Sequence, residues 1–234
     1  MVDQKTGMTF KRLAITFIVF LFLFSAVAQS DTEWIWNPEL SYSNKLSDRT
    51  TLITKLSVFN SLEETSNRSF IQFVEPQFAV SYTLTTRWKI GGGYYFRNSQ
   101  PLLDGFRYEH RLLQQAGYVN FIGDQRLAHR LRLEQRIRSS SYQNRLRYRL
   151  SFDFPLQGER LDPGERYLIL KNEVMTAFNA SNADAENRVS VGLGWFLNNT
   201  QKFELNAQYR TQDVFSGDGI SHLFLLGTAF YISR

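Results

Sequence analysis

Strand-length segments in which apolar and polar residues alternate recur about eleven times along this chain, behind a single apolar N-terminal run. A two-residue period sends successive side chains to opposite faces of a sheet, which suits a wall with lipid outside and a polar lumen inside. The clearest examples are QNRLRYRLSFDFPL (143–156) and AHRLRLEQRIRS (128–139). The pattern predicts an all-β fold: a closed antiparallel transmembrane β-barrel of about 10–12 strands.

The first 28 residues read as a secretory signal peptide. Lys11 and Arg12 supply a basic start, Leu13 to Phe24 an apolar run, and Ala26 and Ala28 a small-x-small site, so cleavage is expected after Ala28 and the barrel over 29–234. An uncleaved anchor would need a span of roughly 20 apolar residues, and this run is shorter. There is no cysteine in the chain, so it can carry neither a lipoprotein anchor nor a disulfide. Removing the leader lowers the formal charge from +5 to about +3. Export and that modest charge argue against a nucleic-acid partner. No second apolar run has the length of a membrane helix, and in lipid only a closed barrel then satisfies the backbone.

The expected strands are 33–45, 50–60, 69–83, 87–97, 108–121, 126–139, 144–155, 167–178, 187–197, 202–212 and 221–233. Alternation assigns their faces. In 144–155, Leu146, Tyr148, Leu150, Phe152 and Phe154 point to lipid, with Arg145, Arg147, Arg149, Ser151 and Asp153 inward. Short connections (KLSDRT, LTTR, IGDQ, LNNTQ) alternate with longer polar ones (SLEETSNR, NSQPLLDGFRY, NASNADAEN, QDVFSGDGIS), as short periplasmic turns and long outer loops would. QGERLDPGER (157–166) breaks that alternation. Eleven is also odd, whereas a closed antiparallel wall has an even count; twelve strands are expected unless the two ends close in parallel. Aromatics at 15% suit girdles at the two lipid boundaries, although the core of a soluble sandwich could hold them as well.

These segments resemble the outer-membrane barrel family catalogued as domain of unknown function 2490. The residues that carry the resemblance are HRLRLEQRIRSSSYQNRLRYRLSFDFPL (129–156), RYEHRLLQQ (107–115) and ENRVSVGLGWFL (186–197). It implies a barrel in the outer membrane of a Gram-negative bacterium, in contact with outer-membrane lipid and lipopolysaccharide, and no activity. The last strand is similar to the assembly signal read by the outer-membrane insertion machinery, in Gly227, Phe230 and Ile232. It departs from that signal at Leu225 and at the terminal Ser233–Arg234. Strand alternation throughout a small barrel makes a monomer the simplest form.

Chemistry concentrates in one hairpin. Arg130, Arg132, Arg136 and Arg138 on one strand and Arg145, Arg147 and Arg149 on the next point inward, accompanied by Glu134 and Asp153. Pairing 138 with 145 would set Glu134 against Arg149 and Arg130 against Asp153; a slip of two sets Glu134 against Arg147. Two readings follow. The arginines line an anion path, because guanidinium forks bind carboxylate and phosphate and charged rings set pore selectivity. Alternatively they lock to the inward carboxylates Glu75, Glu173 and Glu204 and fill a narrow lumen.

Other chemistry is sparse. The histidines are His110, His129 and His222; His129 faces outward, and the serines Ser139, Ser140 and Ser141 lack any nucleophile context such as G-x-S-x-G. A lipid-modifying hydrolase or acyltransferase is thus the third reading, behind a narrow porin-like channel and a non-conducting barrel that acts through its loops. Gly91–Gly93 sits inside a strand pattern and reads as room for bending, not as a phosphate loop. Glu63, Glu64, Asp184, Glu186, Asp213 and Asp218 read as solvated loop acids. No metal-ligand spacing and no cofactor motif is present.

Overall fold

The computed structural model describes residues 32–63, 70–102, 107–122, 125–158, 161–180, 182–215 and 219–234. The leader expected over 1–28 lies outside the described residues. Eleven strands follow one another: β1 (Thr32–Lys45), β2 (Thr50–Ser61), β3 (Ile71–Thr83), β4 (Trp88–Ser99), β5 (Arg107–Ile122), β6 (Gln125–Arg138), β7 (Tyr142–Pro155), β8 (Arg166–Phe178), β9 (Ala183–Asn198), β10 (Gln201–Gln212) and β11 (Ser221–Ser233). Each pairs antiparallel with its chain neighbours, and β1 closes the barrel on β11.

That closure corrects the expectation of twelve strands in a wholly antiparallel wall. With eleven strands the first and last run in the same direction, so the seam is parallel, in register from Thr32↔His222 to Ser43↔Ser233. Strand β1 therefore starts at the end that carries the connections 62–70, 100–106 and 213–220. The C-terminus lies at the opposite end, with the turns at 46–49, 84–87 and 199–200. Strands of 12 to 16 residues, tilted as in a barrel, rise about 30–40 Å, enough to cross a hydrocarbon core.

The outer face is apolar along this height. Leu40, Phe78, Leu112, Leu131, Leu146 and Val191 are each more than 40% exposed. A belt of this kind is sustainable in lipid and not in water. Aromatic contacts mark its two rims. At the long-loop end Trp34 stacks on Phe224 at 4.8 Å and Phe96 on Tyr108 at 5.4 Å. At the short-turn end Trp88 meets Tyr118 at 4.8 Å and Trp195 meets Phe203 at 5.6 Å.

Two connections depart from expectation. NASNADAEN is not a long loop, because β9 begins at Ala183 and leaves 179–182, where Asn179 Oδ1 accepts from the Asn182 amide at 2.8 Å. The described part of the connection before β8 folds back on the sheet: the Gly164 amide donates to Phe196 O at 2.6 Å and the Phe196 amide to Glu165 O at 2.9 Å. Within β4, a Cβ on Gly93 would come 2.5 Å from Phe78 O and one on Gly91 2.6 Å from Val80 O. The glycines let β3 and β4 approach where any side chain would force them apart.

Candidate functional site

The β6–β7 hairpin sends its arginines into the lumen in a register that neither sequence alternative anticipated. Arg138 bonds the Ser141 carbonyl through its amide at 2.9 Å, and this tight turn sets the pairing. Glu134 lies opposite Arg145, Arg132 opposite Arg147, Arg130 opposite Arg149, and Asp153 opposite Arg126. Asp153 therefore pairs with Arg126, not with Arg130. Glu134, fully buried, accepts from Arg147 Nη1 at 2.6 Å, with Arg132 at 3.5 Å and Arg145 at 3.9 Å.

Counter-charges from other strands tie this hairpin into a network. Glu173 on β8 accepts from Arg130 at 2.8 Å and from Arg147 at 2.5 Å. Glu75 on β3 pairs instead with Arg97 and, at 3.3 Å, with Arg111. Glu204 meets no arginine among the described residues; it accepts from the Tyr167 hydroxyl at 2.8 Å and lies 3.7 Å from Lys171. The strongest knot forms around Glu109 on β5, which holds Arg136 at 2.7 Å, Arg138 at 2.5 Å and Arg111. Sequence reasoning passed over Glu109, Arg111 and Arg97, although Glu109 and Arg111 share a face by the same two-residue period that marked the hairpin.

Above and below this network the lumen differs. Towards the long-loop end, Ile35, Phe59, Leu223 and Leu225 point inward as an apolar cluster with Phe73 against it. The Arg97 guanidinium lies 4.2 Å from the Phe73 ring centroid, joining this cluster to the Glu109 knot through Glu75. The four side chains of the cluster are buried, and Phe59 and Leu225 narrow the lumen here. Below it lies a central cavity of about 400 Å³ reached by all eleven strands. Eleven cationic side chains line it, among them Arg149, Lys171, Arg188 and Arg210, against three carboxylates, Glu39, Glu75 and Glu173. A second cavity of about 440 Å³ at the short-turn end shares Gln115, Arg130 and Arg149 with it.

The remaining sequence candidates scatter. Each histidine bonds a tyrosine hydroxyl on a neighbouring strand: His110 with Tyr94 at 2.5 Å, His129 with Tyr148 at 2.8 Å, and His222 with Tyr209 at 2.6 Å. His129 also contacts Asn120 Oδ1 at 3.1 Å. Ser139, Ser140 and Ser141 occupy the β6–β7 turn, roughly 30 Å along the strand from His129. Asp184 and Glu186 belong to β9 and not to a loop; Glu186 faces the lumen and bonds Arg188 at 2.5 Å. Asp213 accepts from Ser221 Oγ at 2.6 Å, while Glu64 and Asp218 lie outside the described residues. Among the described residues no three acidic or histidine side chains come together to hold a metal. On β11, Gly227 faces Asn206, while Phe230 and Ile232 fall on the outward parity.

An apolar belt between aromatic rims around a charged interior defines a membrane-spanning β-barrel. Residues 35–221 match the family described as protein of unknown function (DUF2490), and the chain belongs to that family. No curated protein sequence matches it. Among solved structures the fold is similar to LpxR from Salmonella typhimurium, with a TM-score of 0.53 and 10% identity over 82% of this chain and 86% of that one. At that identity the likeness concerns fold alone.

Proposed function

We propose that this is an outer-membrane barrel with a narrow, anion-selective lumen. One observation carries the reading: the central cavity presents eleven cationic side chains and three carboxylates. The excess outlasts the pairing: with Glu109, Glu134, Glu186 and Glu204, which pair with lining cations from just outside the lining, eleven cations still meet only seven carboxylates among the described residues, a surplus that repels cations and attracts anions. The passage is narrow, since the network around Glu109 and Glu134 occupies much of the cross-section. Small anions fit it; folded macromolecules do not.

The test is single-channel recording of the refolded mature chain in a planar bilayer under a salt gradient. A reversal potential on the anion side is expected, and it should collapse towards zero when Arg132, Arg136 and Arg147 are neutralised together. Silence from protein whose folding is verified by heat-modifiable gel migration would sink the channel and favour a non-conducting barrel that acts through its loops.

One observation favours a second reading, chemistry on lipid at the wall's outer surface. His129, with Tyr148 and Asn120 in hydrogen-bond reach, sits on the outward face near the short-turn rim beside Tyr118. A His129→Ala variant with an altered lipid profile would support it. The separation from Ser139–Ser141 means those serines would not be its nucleophile.

A further inference from the structure

Within the cavity the cations are not equivalent. The strand register places Arg130, Arg149, Glu173, Arg188 and Arg210 in one continuous row across β6 to β10, each opposite the next. Four arginines thus share a row with one carboxylate. Glu173 is already engaged by Arg130 and Arg147 and lies 3.7 Å from Arg188, which has a closer partner in Glu186 at 2.5 Å. Arg149 forms no hydrogen bond or ion pair with any described residue. Arg210 bonds only the Gln208 side chain, at 2.5 Å, and no described carboxylate.

Two guanidinium groups therefore line a shared cavity, Arg149 with no donor engaged by a described residue and Arg210 with only its Nε engaged. Arg130 beside Arg149, and Arg188 beside Arg210, set like charges on adjacent strands, and the surplus favours an anion among them. The chemistry that relieves this is an anion with several oxygens, two of which on one group a fork binds through parallel N–H···O bonds. The route in is also defined. Towards the loops the central cavity is narrowed by Phe59 and Leu225 of the apolar cluster and by Arg97 and Arg111. Arg149 stands instead where the central cavity meets the one opening towards the short turns. A cavity of about 400 Å³ suits a small molecule, not a polymer.

We propose that the Arg149–Arg210 row is a binding site for a small multivalent oxyanion, a compound carrying two phosphate groups, which enters from the short-turn end. The site deepens the anion-selective reading by giving the lumen a stationary ligand. Isothermal titration of the refolded barrel with inorganic pyrophosphate, with orthophosphate alongside, tests it. Pyrophosphate is expected to bind at one site, more tightly than orthophosphate, and to weaken as salt rises. Arg149→Gln and Arg210→Gln should each weaken it about tenfold or more, whereas Lys45→Gln, at an exposed turn pair with Asp48, should leave it unchanged.

No pyrophosphate binding by folded protein, or equal binding by the two arginine variants, overturns the site. Competition by a short-chain phosphatidic acid would assign the phosphates to a lipid headgroup, and its absence to a soluble compound. The two proposals fail separately. Anion-selective current without pyrophosphate binding removes the site alone, and binding by a silent barrel removes the passage alone.

Discussion

Glu134 has three guanidiniums within 3.9 Å and no exposure at all. A buried carboxylate of this kind is tolerated because its partners are present; without it they repel one another with no carboxylate between them. Glu134→Gln keeps the shape and removes the charge, so it is expected to cost about 3–5 kcal/mol. The check is the urea midpoint at which the compact, heat-modifiable gel band disappears; an unchanged midpoint would mean that the arginines are compensated by water or ions. A steric counterpart lies at the other end of the lumen. A Cβ on Gly194 would overlap the Tyr167 ring, whose hydroxyl donates to Glu204 at 2.8 Å. Gly194→Ala should therefore destabilise by about 1–3 kcal/mol by overpacking. Adding Tyr167→Ala should recover part of that loss, a non-additivity that separates ring displacement from a generic strand defect.

At the scale of elements, the parallel seam is the least ordinary feature. Its register places Trp36 beside Leu226, both on the outward face, at a Cα separation that a disulfide can bridge. The chain has no cysteine of its own, so Trp36→Cys with Leu226→Cys is a clean probe. The oxidised pair should close a covalent ring that keeps a compact gel migration after heating, until reductant is added. Trp36→Cys with Phe224→Cys, two positions away, should not. A wall with another strand between β1 and β11 would abolish the first crosslink.

The strands themselves were legible because a two-residue period survives in almost any local context, and ten of the eleven start within two residues of where alternation put them. Register was not legible. In R-x-R-x-E-x-R against R-x-R-x-R, slipping by two residues exchanges one arginine for another, so hydropathy cannot choose; the tight turn at 139–141 does. The hairpin arginines were visible for the same reason, being repeated on one face. Glu109 was not, because its neighbours Arg97 and Arg138 are set by the registers of the β4–β5 and β5–β6 hairpins and by nothing within RYEHRLLQQ.

For the whole molecule, the decisive asymmetry runs along the barrel axis. The lumen is apolar and charge-knotted in its loop-side half and cationic with open volume in the other, so selectivity and constriction reside at different heights. Arg97 joins them, lying over Phe73 and 5.8 Å from the Phe59 ring while pairing with Glu75. If the apolar cluster is the constriction, Phe59→Ala with Phe73→Ala widens the passage without removing a charge from the cavity below. Single-channel conductance should then rise several-fold while the anion preference keeps its sign. A rise in conductance with loss of selectivity would place the selecting charges at the constriction, on Arg97, which the two rings hold. An unchanged conductance would move the narrowest point down to the Glu134 and Glu109 ion pairs. There Arg136→Gln, which takes one of three arginines from Glu109, becomes the substitution that opens the barrel.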